Sequence, residues 1–322
     1  MSGVNDDVKE LRRIYSGFWT SRVLLTANNY RVFEHLRTAR TAREIAEALK
    51  TDGRATEILL DALAAMGLLK KTGVRYKNTP LSNRFLISKS PRYQGDIIRH
   101  ADTLWKNWSG LDEVIRTGNP HHVAHDQDSF IRGMHNLALL KAKDLVGTIG
   151  MKGVRRALDL GGGPGTYSME MAKKGVSVTL FDRPETIKIA KNIIGKSGVA
   201  NIHFIEGDFL YDDMGSGYDL IFISQVLHSC SEGESLRTIE KSRRSLNRKG
   251  RIAIQEFYLE EDRTRPVQSA LFSINMLVNT PEGRCYSPSE IRGWLSRSGF
   301  RAIREKMRDD SVLLIGEKGE RQ

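Results

Sequence analysis

From residue 151 onward, short apolar runs alternate with amphipathic stretches, the rhythm of a strand–helix–strand sheet. Runs at 157–160, 176–181, 202–206, 218–227 and 251–257 predict five strands. Two closing runs, 301–307 and 311–318, are joined through Asp309 and Asp310. So short a connection is no parallel crossover, and the last strand must enter antiparallel. Residues 96–150 are helical in pattern. Further upstream, Leu11, Ile14, Tyr15, Phe18, Trp19, Val23 and Leu24 recur at helical spacing, predicting one long helix or two abutting ones over 8–36. The stripe is wide for a surface helix, so either a second subunit or its own domain covers it.

Between these regions lies a compact pattern. Thr41 caps a short helix, with Glu44 closing a capping box. A second helix runs from about Ala55 to Leu69, and residues 70–80 read as a β-hairpin around a Thr72–Gly73 turn. Helix, turn, helix and hairpin make a winged-helix arrangement, which raises DNA binding as a reading. Arg54 is the only early base of the second helix, whereas Glu57 and Asp61 would face phosphates unfavourably. Lys70, Lys71, Arg75 and Lys77 on the hairpin keep nucleic acid in play, but a packing or dimerisation module is preferred.

The strand ends carry the candidate chemistry. The first run leads into Gly161, Gly163 and Gly165, spaced G-x-G-x-G, before Thr166 opens a helix. A dinucleotide loop needs its third glycine one residue later, so this shorter loop suits a nucleoside without phosphates, such as S-adenosylmethionine. Asp182 ends the second run, placed to accept from two ribose hydroxyls. Asp208 and Phe209 follow the third, suited to an adenine amino group and ring face. The fourth run passes Ser224 and ends in His228, and the fifth carries Glu256. Four polar strand ends in register mark a ligand site in an open parallel sheet.

Composition narrows the setting. A chain of 322 residues allows two domains. No apolar run approaches the ~18 residues of a membrane span, and the N-terminus lacks a signal-peptide pattern. Cys230 and Cys285 show no metal-ligand spacing, so a reduced, cytoplasmic protein is expected. The net charge is +11, and residues 1–100 hold 18 Lys and Arg against 10 Asp and Glu. His121, His122 and His125 cluster near Pro120 without an acid or cysteine to complete a metal site, and read as loop histidines.

Taken together, these motifs resemble the plant-type O-methyltransferases, the group of caffeic-acid, hydroxyindole and bacterial polyketide-tailoring enzymes. The likeness runs nearly end to end, through 108–120, 158–165, 181–184, 207–209, 226–228, 281–283 and 286–287. It implies an α/β protein: a Rossmann-like seven-stranded methyltransferase sheet, last strand antiparallel, preceded by an α-helical winged-helix dimerisation domain. The expected organisation is a dimerisation domain at 1–95, a helical bridge at 96–150 contributing to the substrate pocket, and the donor-binding domain at 151–322. Also implied are a homodimer through the N-terminal domain, S-adenosylmethionine as donor, S-adenosylhomocysteine as product, and no metal.

Carried over by position, the glycine loop and Asp159 lie along the donor's methionine and ribose, with Ser224 in the same set. Asp182 takes the ribose hydroxyls, and Asp208 with Phe209 the adenine. His228 falls on the family's catalytic base and Glu256 on the acid that orients it. Trp105, Trp108, Phe130, Met134, Met276 and Asn279 are candidate acceptor-pocket residues, though core packing explains each equally well. Two positions depart from the family. Ser229 and Cys230 stand where Asp-Trp usually follows the His, and the second flanking acid of plant members is replaced near Cys285. A family relative methylates carbon, so the expected O-methylation of a small phenolic acceptor carries C-methylation as its alternative. A nucleic-acid methyltransferase, a non-enzymatic sensor and a nicotinamide dehydrogenase rank below these.

Overall fold

The computed structural model describes residues 2–308 and 310–319. Asp309, assigned above to the last connection, lies outside the described residues. The chain divides into two compact units, Met1–Asp102 and Thr103–Gln322.

In the first unit, the periodic stripe over 8–36 is cut into three helices, α1 (Ser2–Tyr15), α2 (Phe18–Asn29) and α3 (Val32–His35). Arg31 breaks the run before α3 by taking a left-handed φ of 53°. There follow β1 (Arg40–Thr41), α4 (Ala42–Leu49), α5 (Gly53–Ala65), β2 (Leu69–Thr72), β3 (Arg75–Asn78) and α6 (Pro80–Phe85). The capping box forms as expected: Glu44 N donates to Thr41 Oγ1 and Thr41 N to Glu44 Oε2. Helix α5 stops short of the expected Leu69 because Gly67 turns left-handed and Leu69 begins β2. The hairpin centres on Gly73 and Val74 rather than Thr72–Gly73, with Gly73 at φ +58°.

The small sheet, ordered β1-β3-β2, packs Tyr76 and Leu69 into a core with Phe33, Leu36, Ile45, Leu60 and Leu63. Two of the four hairpin bases are engaged. Lys71 donates to Asp61 at 2.6 Å, and Arg75 lies 3.6 Å from Glu44. Helix α7 (Gly95–Trp108) carries the chain into the second unit.

That unit opens with α8 (Leu111–Thr117), α9 (Gln127–Leu139) and α10 (Ala142–Ile149). Its sheet contains β4 (Arg156–Leu160), β5 (Ser177–Asp182), β6 (Ile202–Glu206), β7 (Tyr218–Ser224) and β8 (Leu246–Phe257). Strands β9 (Phe300–Arg308) and β10 (Ser311–Lys318) complete it. Between strands run α11 (Thr166–Ala172), α12 (Pro184–Ser197), α13 (Glu232–Ser245), α14 (Val267–Asn279) and α15 (Pro288–Arg297). The order β6-β5-β4-β7-β8-β10-β9 gives seven strands among the described residues, with β10 antiparallel to both neighbours.

Period-two alternation divides the side chains between two cores. Leu158, Ile221, Ile223, Ile252, Ile254, Val312 and Leu314 pack on one face, against Ile239, Ile291 and Trp294. Ala157, Leu220, Phe222, Ala253, Leu313 and Ile315 face the other, against Leu145, Val146, Tyr167 and Met171. Trp294 is 1% exposed, and truncating so buried an aromatic costs about 3–5 kcal/mol. Helices on both faces leave the carboxyl ends of β4–β8 as the open edge of the layer. Ligand chemistry belongs there.

Candidate functional site

Those strand ends border a cavity of about 850 Å³, near the top of the ~300–1,000 Å³ range for small-molecule sites. At its floor, β4 gives way to the glycine loop. Gly161, Gly163 and Gly165 all hold positive φ, at 65°, 53° and 74°, a conformation that strains any residue with a Cβ. Gly162 is glycine for a different reason: a Cβ there would stand 2.9 Å from Asp159 Cγ. Asp159 is fully buried. Its Oδ2 accepts from Ser168 Oγ at 2.6 Å, while Oδ1 has no partner. Burial, reinforced by the Asp182 charge and opposed by the Ser168 hydrogen bond, pushes its carboxyl up to about 7.

Asp182 closes β5 with a backbone donor on each carboxylate oxygen. Oδ2 accepts from Gly163 N and Oδ1 from Arg183 N, both at 2.8 Å, and the Thr186 side chain adds a further hydrogen bond. A carboxylate offers about four lone-pair sites, so capacity remains for a hydroxyl in the cavity. Asp208 Oδ1 accepts from Leu210 N at 2.9 Å, and Phe209 lines the wall beside it.

Strand β7 ends differently. Ser224 Oγ donates to the buried Gln255 Oε1 at 2.8 Å. Gln225 takes a left-handed φ of 58°, costly for a residue with a side chain, while its N–H donates to Gln255 O. Its Nε2 is buried at the cavity wall with no hydrogen-bond partner. Sequence reasoning passed over Gln225; the strand-end rule that singled out Asp182 selects it once amides are counted alongside acids. Asp159 Oδ1 and Gln225 Nε2, an orphaned acceptor and an orphaned donor, suit the ammonium and carboxylate of an amino-acid ligand. The strand-end acids suit a nucleoside's hydroxyl and amino groups.

Beyond Gln225 the chain makes a 3₁₀ turn, Leu227–Ser229. Glu256, on neighbouring β8, organises it. Its Oε1 accepts from Val226 N at 2.9 Å and Leu227 N at 2.8 Å. Its Oε2 meets His228 Nδ1 at 2.7 Å. Both side chains are buried, at 9% exposure for His228 and 2% for Glu256. Phe272 meets the imidazole edge-on at 5.0 Å and Phe257 lies 5.7 Å away. With Nδ1 engaged, Nε2 is the ring nitrogen left for a ligand.

Phe130, Met134 and Asn279 line the cavity; Trp105, Trp108 and Met276 do not. Trp108 instead donates its indole N–H to Asn275 Oδ1 at 2.8 Å, and Met276 is buried in the body of α14. Residue type alone made them pocket candidates, and for Trp108 and Met276 the alternative of packing elsewhere holds. His122, His125, Lys141, Arg183 and Glu282 also line the cavity. His121 N is tied to Val278 O, and His125 bonds Gln127. No group of three His, Cys, Asp or Glu among the described residues is placed to hold a metal ion. Cys230 reaches the cavity and Cys285 does not; burial pushes both thiols up to about 11. No helix among the described residues is long and apolar enough to cross a membrane.

A family model for the O-methyltransferase domain matches residues 95–301, and one for the O-methyltransferase dimerisation domain matches 13–88. The chain is 31% identical to a 3-hydroxy-5-methyl-1-naphthoate 3-O-methyltransferase of Streptomyces sahachiroi, covering 91% of this chain and 90% of that one. It is 29% identical to acetylserotonin O-methyltransferase of Macaca mulatta, over 95% and 96% of the two chains. Among solved structures, an O-methyltransferase family protein from Burkholderia thailandensis superposes with a TM-score of 0.88 at 29% identity, covering 98% and 99%. Human N-acetylserotonin methyltransferase, solved in complex with S-adenosylmethionine, gives 0.88 at 26% identity, covering 98% of each chain.

Proposed function

Since the chain belongs to the O-methyltransferase family, with S-adenosylmethionine as its methyl donor, we propose that it methylates a hydroxyl of a small aromatic acceptor, using His228 as general base. The observation that carries this reading is the buried Glu256–His228 contact at 2.7 Å beside the cavity. Glu256 holds the proton on Nδ1, so Nε2 presents a lone pair to the acceptor hydroxyl. A phenol is less acidic than imidazolium by about 3.5 pK units, so proton removal is useful only as the oxygen attacks. Such general-base help contributes roughly 10²–10⁴-fold, and fixed geometry supplies the rest of the acceleration.

The donor is held, in this reading, by Asp159, Gly161, Gly163, Gly165, Ser224 and Gln225 along its amino-acid part. Asp182 takes its ribose, and Asp208 with Phe209 its adenine. Bound there, it supplies an electrophilic sulfonium methyl group. Phe130 and Met134 give the acceptor an apolar wall suited to a flat ring, while His122, His125, Asn279, Thr280 and Glu282 offer polar groups to its substituents. The acceptors named for the relatives are 3-hydroxy-5-methyl-1-naphthoate and acetylserotonin.

The protein works as a homodimer through its N-terminal unit. Leu11, Ile14, Phe18 and Trp19 are more than half exposed on α1 and α2, an apolar surface that a second copy would cover.

The test uses labelled S-adenosylmethionine with a panel of phenols, catechols and hydroxyindoles, and with RNA and DNA. Organic-extractable label that His228→Ala reduces roughly 10²–10⁴-fold supports the proposal. Label in nucleic acid, or His228→Ala turnover near that of the native chain, sinks it.

A further inference from the structure

Two walls of the cavity come from segments far apart in sequence, and both are tied to one buried side chain that the cavity never meets. Asn107, near the end of α7, is 1% exposed. Its Oδ1 accepts from Ala124 N at 2.9 Å, and its Nδ2 donates to Ala124 O at 3.1 Å. One carboxamide thus pairs both backbone groups of a loop residue, as a neighbouring strand would. The same Nδ2 donates to Asn279 Oδ1 at 2.7 Å. Asn279 in turn donates to Asn275 O at 2.8 Å, and Asn275 Oδ1 takes the Trp108 indole N–H. The His121 N to Val278 O bond joins the same two segments a second time.

What hangs from this hub is acceptor wall. His122 and His125 lie on either side of Ala124, and Asn279, Thr280, Pro281 and Glu282 follow one another at the end of α14. All six line the cavity, on segments that contribute no strand end. The loop at 121–125 has no helical or ladder hydrogen bonds of its own; one backbone bond, His121 N to Val278 O, ties its start to α14, and Ala124 is held by the Asn107 side chain. A buried amide with every donor and acceptor engaged fixes such a position sharply. Asn279 can turn its own amide only by giving up the Asn107 bond, so its orientation toward the cavity is set from behind.

We propose that Asn107 is a positioning residue for acceptor selectivity, holding the 121–125 loop and Asn279 at the spacing that the acceptor must fit. The proposal rests on the O-methyltransferase reading above for what the acceptor is. It does not depend on that reading for the coupling of the two walls.

The experiment compares the native chain with Asn107→Asp, close to isosteric but without the two donated hydrogen bonds, and with Asn107→Ser. Three quantities are measured: affinity for S-adenosylhomocysteine, kcat and KM across large and small phenols, and hydrogen exchange of residues 119–127. The expected result is homocysteine-product affinity within twofold of native and acceptor KM raised tenfold or more. The preference between large and small phenols should flatten, and exchange at Ala124 should accelerate in Asn107→Ser, whose hydroxyl is too short to accept from Ala124 N, whereas Asn107→Asp keeps that acceptor. Asn107→Ser combined with Asn279→Ala should cost less than the sum of the two single changes, because the two residues share one hydrogen bond. Unchanged KM and selectivity in folded variants would overturn the proposal, and so would unchanged exchange at Ala124 in Asn107→Ser. If the native chain methylates no phenol, the reading of the reaction fails instead, and the exchange result still decides whether Asn107 holds the wall.

Discussion

The two halves of the cavity are built in opposite ways. The donor half is a row of strand ends and one glycine loop, each residue fixed by the backbone of a regular sheet. The half proposed for the acceptor is assembled from α9, a loop at 121–125 and the end of α14, the last two joined by side-chain amides and one backbone bond. Side-chain construction can be altered one residue at a time without disturbing the sheet. The halves meet at His228, which sits on a turn after β7 but is oriented by Glu256 from β8.

Glu256→Gln should produce the largest separation of the halves. The amide retains an oxygen for Val226 and Leu227 but turns an N–H toward His228 Nδ1, which forces the wrong imidazole tautomer. Turnover is expected to fall on the order of 10²–10⁴-fold, by analogy with triad acids, while S-adenosylhomocysteine affinity stays within about twofold. Calorimetric titration beside kcat measures both; an equal loss in each would show that the halves are not separable.

Gly165→Ala tests the donor half alone. The residue sits at φ +74°, and a Cβ would lie 2.6 Å from Ile194 Cδ1 and 2.8 Å from Leu180 Cδ1. A melting temperature lowered by the equivalent of about 1–3 kcal/mol is expected, with donor affinity reduced tenfold or more. An unaltered melt with native affinity would mean that the loop is more plastic than its geometry implies.

The smallest effect concerns pH. Asp159 has a folded-state pKa of about 7, raised above the 3.8 of an exposed carboxyl. The folded protein therefore keeps a proton that the unfolded chain releases. Its contribution to stability is fully present below about pH 4, declines as pH rises to about 7, and is constant above. A ligand ammonium at Oδ1 favours the carboxylate, so donor-site affinity should improve several-fold, at most about tenfold, between pH 6 and 8. Binding should also release protons, seen as a buffer-dependent heat. Asp159→Asn abolishes both slopes if the assignment is right; a slope that survives the substitution belongs to another group.

The same contrast explains what could be read from the chain. The glycine loop, Asp182, Asp208, His228 and Glu256 stood out because each lies at or just beyond the carboxyl end of a strand. Local spacing alone identifies such positions. The antiparallel last strand was legible from a connection too short for a crossover. Asn107 gave no such sign: a polar residue in a helical pattern says nothing about Ala124 or about Asn279, 172 positions away. Trp108 and Met276 were expected in the pocket because their side chains suit a flat ring, yet one bonds Asn275 and the other is buried on α14 away from the cavity. Gln225 was missed because only acids and the His were read at the strand ends; its place directly after β7 was legible, its left-handed backbone was not.

The Glu256 contact has a consequence for how the protein comes into being. The residues proposed to hold the donor lie at the ends of β4 to β7, but His228, the proposed base, is oriented only when β8 adds beside β7, in the register that pairs Ser224 with Gln255. A slip of one residue in that pairing would send the Glu256 side chain to the opposite face. A nascent chain halted before β8 therefore holds much of a nucleoside pocket and no oriented base. Chemical competence arrives with the strand that closes the parallel half of the sheet.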